Sequence, residues 1–253
     1  AENYITQKVV GIFGCNEGST TGTGNAIKAS GSSDIVGVGF DKSDAIQGLI
    51  TDGYLLCTMA QNPDVMGYEG VKAAVAAIGG ESLGGKVTDT GVSVIDAAAL
   101  GGAAPEASGD SVTASKAWKI ALITMDSIDQ HWVTLNEGAQ AKAEELGVEV
   151  TFMSPNTKDD AQQIECVNNA VAGGYEAIIV AANGPDAISS ALQEAIAAGI
   201  KVVYVDSPAN VDAEATFSTD NVAAGTTAGE EMIKALEAAG VTSGDIGIVN
   251  VNA

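Results

Sequence analysis

Short apolar runs that stop on polar residues, each followed by a stretch of helical period, make up the second half of this chain. Lys119-Ile-Ala-Leu-Ile-Thr124 halts at Met125-Asp-Ser-Ile-Asp-Gln-His-Trp132, and residues 148–152, 177–182 and 201–206 repeat the manner with an amphipathic stretch between each pair. Runs of four to eight β-rich residues alternating with helices predict a parallel sheet covered on both faces. The first half follows the same grammar. A helical tail over 1–7 precedes strands at 8–14, 34–40 and 54–60, the last ending at Gln61, with helices at 19–29, 43–51 and 66–78 and a strand at 86–96. A helix over 222–239 and a strand over 246–251 finish the chain.

Residues 97–116 break this rhythm. Ala-Leu-Gly-Gly-Ala-Ala-Pro-Glu-Ala-Ser-Gly-Asp, within that stretch, is small and Gly-rich and has no periodic apolar stripe. It reads as a flexible linker between two βα-rich blocks. The 253 residues suffice for two such blocks, each with its own core.

Charge removes whole classes of partner. The formal net charge is −22, from 33 acidic residues against 11 Lys, with no Arg anywhere. Nucleic acid needs clustered Lys or Arg against its phosphates, so it is excluded as a partner, and a basic membrane-docking patch is excluded likewise. No run approaches the ~18 apolar residues of a membrane helix. No signal peptide opens the chain, which leaves its compartment open. Cys15, Cys57 and Cys166 lack metal or CxxC spacing, so buried free thiols are expected. One His argues against a bound metal, and nothing calls for a cofactor.

In an open parallel sheet the ligand sits at the carboxyl ends of the strands. Those ends carry Asp126, Gln130, His131, Trp132, Asn183, Asp206 and Ser207. The set is polar and aromatic and shows no obvious catalytic machinery, which points to binding a small polar molecule. Gly18-Ser-Thr-Thr-Gly-Thr-Gly24 lacks the Lys of a phosphate loop and the spacing of a dinucleotide fingerprint. No Gly-x-Ser-x-Gly elbow is present, and nothing tunes Asp126 and Asp206 as a glycosidase pair. The chain is read as a binding protein and not an enzyme.

The second half resembles the N-terminal part of type I periplasmic sugar-binding proteins, the ribose/galactose-binding family of ABC transporter substrate-binding proteins. The resemblance rests on Lys119–Val133 as quoted, Glu137-Gly-Ala-Gln140, Ala143-Glu-Glu-Leu-Gly147, Ala177-Ile-Ile-Val-Ala181, Ala198-Gly-Ile-Lys-Val-Val-Tyr-Val-Asp206 and Thr219-Asp-Asn221. The first half resembles that family's C-terminal part, through Val10-Gly-Ile-Phe-Gly-Cys-Asn-Glu17, Val36-Gly-Val-Gly-Phe-Asp41, Gly53-Tyr54, Met59-Ala-Gln61 and Met66-Gly-Tyr68. The order is reversed, so the resemblance implies a circularly permuted chain, natural or engineered, in which 97–116 joins the family's usual ends.

That linker resembles the tether behind a lipoprotein anchor, so the implied location is extracytoplasmic, periplasmic or on the cell surface. A segment holding a helix, an edge strand and the start of a further helix is not found, which leaves the strand at 246–251 with an open edge that invites self-association. The implied fold is α/β and two-lobed, each lobe a mostly parallel sheet with helices on both faces. One lobe takes 62–86 and 117–219. The other takes 1–61, 87–96 and 220–253. The chain crosses between them near Gln61, Lys86 and Asp220, and hinge closure around the ligand is implied.

The family implies a neutral sugar or polyol delivered to an ABC transporter permease. Trp132 and His131 match a position where aromatics stack on the sugar ring, while the plainer reading of Trp132 is a core residue capping its helix. Asp206 matches a carboxylate that accepts sugar hydroxyls, against the reading of a turn or capping Asp. Ser207 stands where ribose-type members often carry Arg, and the lack of Arg speaks against an anionic ligand. Asn16, Asp41 and Gln61 match hydrogen-bonding positions of the other lobe, with turn formation and packing as their plainer readings. Asn183, in Asn183-Gly-Pro, is a ligand contact or an ordinary turn. Asp126 and Gln130 share the loop of Trp132, and Asn250 and Asn252 are weaker candidates. Three other functions remain open: a ligand-sensing domain related to LacI-type regulators, a sugar-active enzyme on an α/β scaffold, which the motifs do not favour, and an assembly scaffold without a ligand.

Overall fold

The computed structural model describes residues 1–100 and 112–250. In chain order its elements are α1 (Glu2–Thr6), β1 (Gly11–Gly14), α2 (Glu17–Ser30), β2 (Val36–Phe40), α3 (Asp44–Thr51), β3 (Cys57–Gln61), α4 (Pro63–Ile78), β4 (Lys86–Asp89), β5 (Val92–Asp96), β6 (Lys119–Ile123), α5 (Gln130–Leu146), β7 (Glu149–Phe152), α6 (Asp160–Ala172), β8 (Ala177–Val180), α7 (Ser189–Ala197), β9 (Lys201–Val205), β10 (Ala215–Ser218), α8 (Asn221–Ala238) and β11 (Ile246–Val249). They form two compact units. Among the described residues unit 1 holds 1–61, 91–100 and 220–250, and unit 2 holds 62–90 and 112–219.

Unit 2 is built on a six-stranded, wholly parallel sheet in the order β4-β10-β9-β8-β6-β7. Successive side chains of a strand point to opposite faces, and here both faces are buried. Ile120, Leu122, Ile179, Val203 and Val205 pack with Met66, Val71, Leu135 and Ala139 of α4 and α5. Their alternates Ala121, Ile123, Ile178, Val180, Val202 and Tyr204 pack with Val167, Ala170, Leu192 and Ala195 of α6 and α7. Helices α4 and α5 meet backbone to backbone. A Cβ on Gly67 would collide with the Leu135 carbonyl oxygen, and one on Gly138 with that of Asp64. Pro63 opens α4 at its first turn, where its missing N–H costs nothing.

Unit 1 carries a five-stranded sheet in the order β11-β1-β2-β3-β5, parallel except for β5, which runs antiparallel to β3. Val38, Phe40, Cys57 and Met59 pack on one face with Ala224, Ala228, Met232 and Leu236 of α8. Thr20 is fully buried at the start of α2. Its Oγ1 accepts from the Phe40 N–H at 2.8 Å and lies 3.2 Å from the Gly14 carbonyl oxygen, tying the helix to the ends of β1 and β2. Strand β11 is at one end of the sheet, with Ile246 and Ile248 exposed.

Four features differ from the sequence reading. Residues 86–96 form two strands, not one. β4 pairs with β10 in unit 2, β5 pairs with β3 in unit 1, and Gly91 with φ 75° turns the chain between them. Residues 87–90 therefore belong to unit 2, and the chain leaves that unit at Thr90 rather than near Lys86. Strand β10 has no counterpart in the reading, because Ala-Thr-Phe-Ser is too short to show a period. Cys57 is buried but Cys15 and Cys166 are only half-buried. Burial, then Glu231 and Asp96, push the Cys57 thiol up to about 12.

The reading of 97–116 as a linker lies largely outside the described residues. Its two described ends are packed. Asp96 Oδ1 accepts from the Ala98 and Ala99 N–H groups and Leu100 packs against the cluster of Ile46, Leu49, Ile50 and Leu55, while Val112 and Ala114 rest on the unit 2 core.

Candidate functional site

The candidate residues of unit 2 gather at the carboxyl ends of β6, β8 and β9. The order in which strands are added reverses at β6, since β7 lies on one side of it and β8 on the other. Ligands of open α/β sheets are taken at such a switch point.

The loop after β6 is shaped by its own side chains. Asp126, only 4% exposed, accepts at Oδ1 from the backbone N–H groups of Ile128 at 2.9 Å and Asp129 at 2.8 Å. Asp129 caps α5 by accepting from the His131 N–H. Lys158 Nζ stands 3.9 Å from Asp126 Oδ2 and 3.7 Å from Asp129 Oδ2. Asp126 thus spends one oxygen on the turn and keeps the other toward Lys158. Gln130 is exposed and bonds within its own helix, Nε2 to Thr134 Oγ1 at 3.3 Å.

Trp132 is 3% exposed and belongs to the hydrophobic cluster under the sheet. This is the core position named above as the plainer reading. Its indole meets the His131 ring edge-on, centroids 4.6 Å apart at 89°, and its Nε1–H finds no hydrogen-bond partner among the described residues. His131 is the half-buried aromatic of the pair.

His131 Nε2 lies 3.2 Å from Asp206 Oδ1, and Ser207 Oγ donates to Asp206 Oδ2 at 2.5 Å. Burial pushes the Asp206 carboxyl upward. The hydrogen bond and charge of His131, the Ser207 hydroxyl and Lys158 outweigh it and hold the group below its ordinary value. Asp206 also sits at φ 59°, the left-handed region that costs an L side chain. Asn183 donates its N–H to Gln163 Oε1 at 2.9 Å and its Nδ2 to Asp160 Oδ1.

In unit 1, Asn16, Asp41 and Gln61 end β1, β2 and β3. Asn16 caps α2 in a reciprocal box with Ser19. Asp41 accepts from the Glu17 N–H at 3.0 Å through Oδ2 and from Gln61 Nε2 at 2.7 Å through Oδ1. Its φ is 70°. The structure therefore bonds Asp41 to Gln61 and to the backbone N–H of the residue after Asn16, while Asn16 itself bonds Ser19. Among the described residues, two of the three non-glycine residues with positive φ are the strand-end aspartates, Asp41 and Asp206. Strain held in place by surrounding bonds is a mark of functional positions.

Lys158, Asp160 and Gln163 were not among the residues singled out from sequence. Gln163 carried a signal: with Val167 and Ala170 it lies on the buried stripe of α6, where a polar side chain must have partners. Asn252 is outside the described residues. Asn250 is exposed beyond β11. Among the described residues no group of three or more His, Cys, Asp or Glu could hold a metal ion.

A family model described as periplasmic binding protein domain matches residues 1–82 and 120–253. The chain belongs to this family of periplasmic binding protein domains. It is 35% identical over 87 residues to the ribose import binding protein of Escherichia coli (strain K12), a stretch that is 34% of this chain and 29% of that protein. The counterpart in Salmonella typhimurium is 33% identical over 87 residues. The chain thus spans under a third of the length of the curated relatives it matches.

Among solved structures, an arabinose binding protein from Geobacillus stearothermophilus is 30% identical with a TM-score of 0.46, covering 48% of this chain and 42% of that one. A carbohydrate transporter solute binding protein from Agrobacterium radiobacter in complex with D-arabinose is 27% identical with a TM-score of 0.45, covering 49% and 43%. The periplasmic binding domain is a two-sheet α/β fold, and its parallel strands present their carboxyl ends with the residues described above.

Proposed function

We propose that this chain captures an uncharged monosaccharide or polyol for an ABC transporter. The observation that carries the reading is Asp206. Its carboxylate is kept ionised at the carboxyl end of β9 in the unit 2 sheet, with each oxygen held by one neighbour and a lone pair left on each for a hydroxyl. Family membership supports it, and so do the stretches shared with a ribose import binding protein. The absence of Arg supports a neutral ligand.

In this reading His131 offers its ring to the apolar face of the sugar, and Trp132 backs it from the core. Asp126 and Asn183 complete the unit 2 set. In unit 1, Asp41 and Gln61 are the candidate hydroxyl partners, with Asn16 shaping the end of β1. The permease is the partner that receives the sugar, and the location is extracytoplasmic. No described helix is long and apolar enough to cross a membrane. The reversed order of the halves supports a circular permutation of the family chain.

A titration with neutral pentoses, hexoses and polyols, followed by tryptophan fluorescence, tests the reading. A saturable response is expected for at least one sugar and none for sugar phosphates. A flat response to every neutral sugar would overturn it.

A second reading has one observation of its own. Strand β11 ends the unit 1 sheet with Ile246 and Ile248 exposed, an edge that can pair with a second copy. Light scattering decides it: a monomer at all concentrations removes the self-associating form. A regulator-type domain has less support, since 11 Lys and no Arg against 33 acids leave no basic surface.

A further inference from the structure

We infer that Gln163 is a positioning residue that sets the spacing of the two loops bearing Asp126 and Asn183. The inference rests on the sugar-binding reading above. Gln163 is 1% exposed on the buried face of α6. Its Nε2 donates to the Thr124 carbonyl at 3.0 Å and to the Ala181 carbonyl at 2.8 Å, and its Oε1 accepts from the Asn183 N–H at 2.9 Å. Both amide protons and the carbonyl are engaged.

The placement gives these bonds a consequence. Thr124 follows β6 and Ala181 follows β8, the two strands that flank the switch point of the sheet. Where neighbouring strands end, their last carbonyls lose ladder partners. One side chain here satisfies one carbonyl from each strand and the first amide of the Asn183 turn. Thr124 itself continues the chain of bonds, since its Oγ1 donates to the Asp126 carbonyl at 2.6 Å, and the Asp126 carboxylate then holds the turn toward α5 and His131. A single buried amide therefore links the loop leading to His131 with the loop leading to Asn183. It reaches no open surface, so it acts through these loops and not on the ligand.

Any apolar replacement leaves two buried carbonyls and one N–H without partners, and the loops must shift to reach water. Outer-shell partners of metal ligands cost about 10–100-fold in affinity or activity when removed, and a loop-positioning amide is expected to act on the same scale. The test uses Gln163→Leu and Gln163→Glu in the full chain, with sugar affinity measured by calorimetry from neutral pH down to about pH 5 and folding checked by circular dichroism.

Gln163→Leu is expected to weaken sugar binding at least about tenfold while remaining folded. Gln163→Glu keeps the volume but presents a carboxylate to two carbonyl oxygens. Burial raises the pKa of such a carboxyl, and once protonated it regains one donor. Its affinity relative to the wild type should therefore recover as the pH falls. A side chain that only fills space would give a ratio independent of pH. Wild-type affinity in Gln163→Leu, or a pH-independent ratio in Gln163→Glu, would overturn the inference. If the wild type itself binds no sugar, the reading of the site fails first and this inference with it. Should Gln163→Leu not fold, the pH dependence of Gln163→Glu decides alone.

Discussion

His131 Nε2 lies 3.2 Å from Asp206 Oδ1, so the one imidazole of the chain is paired with the carboxylate that ends β9. The pair joins the start of α5 to the end of β9 and helps to offset the upward push of burial on the acid.

Removing the imidazole should release that hold. In His131→Ala the Asp206 carboxyl is expected to titrate at a higher pH than in the wild type, as followed by carbon NMR of the side-chain carboxyl. In the wild type its folded value lies below the ordinary 3.8. The stability it contributes is therefore present above that ordinary value and is lost as the pH falls through the depressed one. An unchanged titration in His131→Ala would mean the contact carries no charge coupling.

Asp41 and Asp206, at φ 70° and 59°, make a second prediction from backbone alone. Replacing either by Ala or by Gly removes the same carboxylate, but only Ala keeps a Cβ in the left-handed region. The Gly variant should be the more stable of each pair by about 1 kcal/mol in urea unfolding. Ala variants equal to or more stable than their Gly partners would contradict the left-handed geometry.

The contact of α4 with α5 predicts opposite effects of one substitution at two glycines. Gly138→Ala drives a methyl into the Asp64 carbonyl and should cost about 3 kcal/mol. Gly48→Ala, on the exposed side of α3 with open space around the new Cβ, should stabilise by about 0.5 kcal/mol. Thermal unfolding of the two variants measures both. A tolerated Gly138→Ala would mean the helices stand further apart.

Much of the fold was legible in the pattern of residues, and the reasons are local. The runs at 119–124, 177–182 and 201–206 are continuous apolar strands because both faces of their sheet are covered. Their ends follow directly from the polar residues that stop them. Residues 86–96 misled because they look like one β-rich run. Only pairing decides that Lys86–Asp89 joins β10 and Val92–Asp96 joins β3, and Gly91 is the sole local sign of the break.

The candidate site was legible in part. Residues at strand ends could be found because that is where open sheets bind. The work each does there depends on neighbours far along the chain. Asp41 meets Gln61 across 20 positions, and Gln163 meets Thr124 across 39. Trp132 stands next to His131 in sequence, yet the helix turns one into the core and leaves the other half-buried beside Asp206.

The central claim is that Asp206 takes the hydroxyls of a neutral sugar. Calorimetric titration of the wild type and of Asp206→Ala with D-ribose, D-arabinose, L-rhamnose and a polyol tests it most directly. Saturable binding of at least one of these by the wild type, lost in Asp206→Ala while the fold persists, is the expected result. Binding that survives Asp206→Ala unchanged, or heat from none of the four with the wild type, would contradict it.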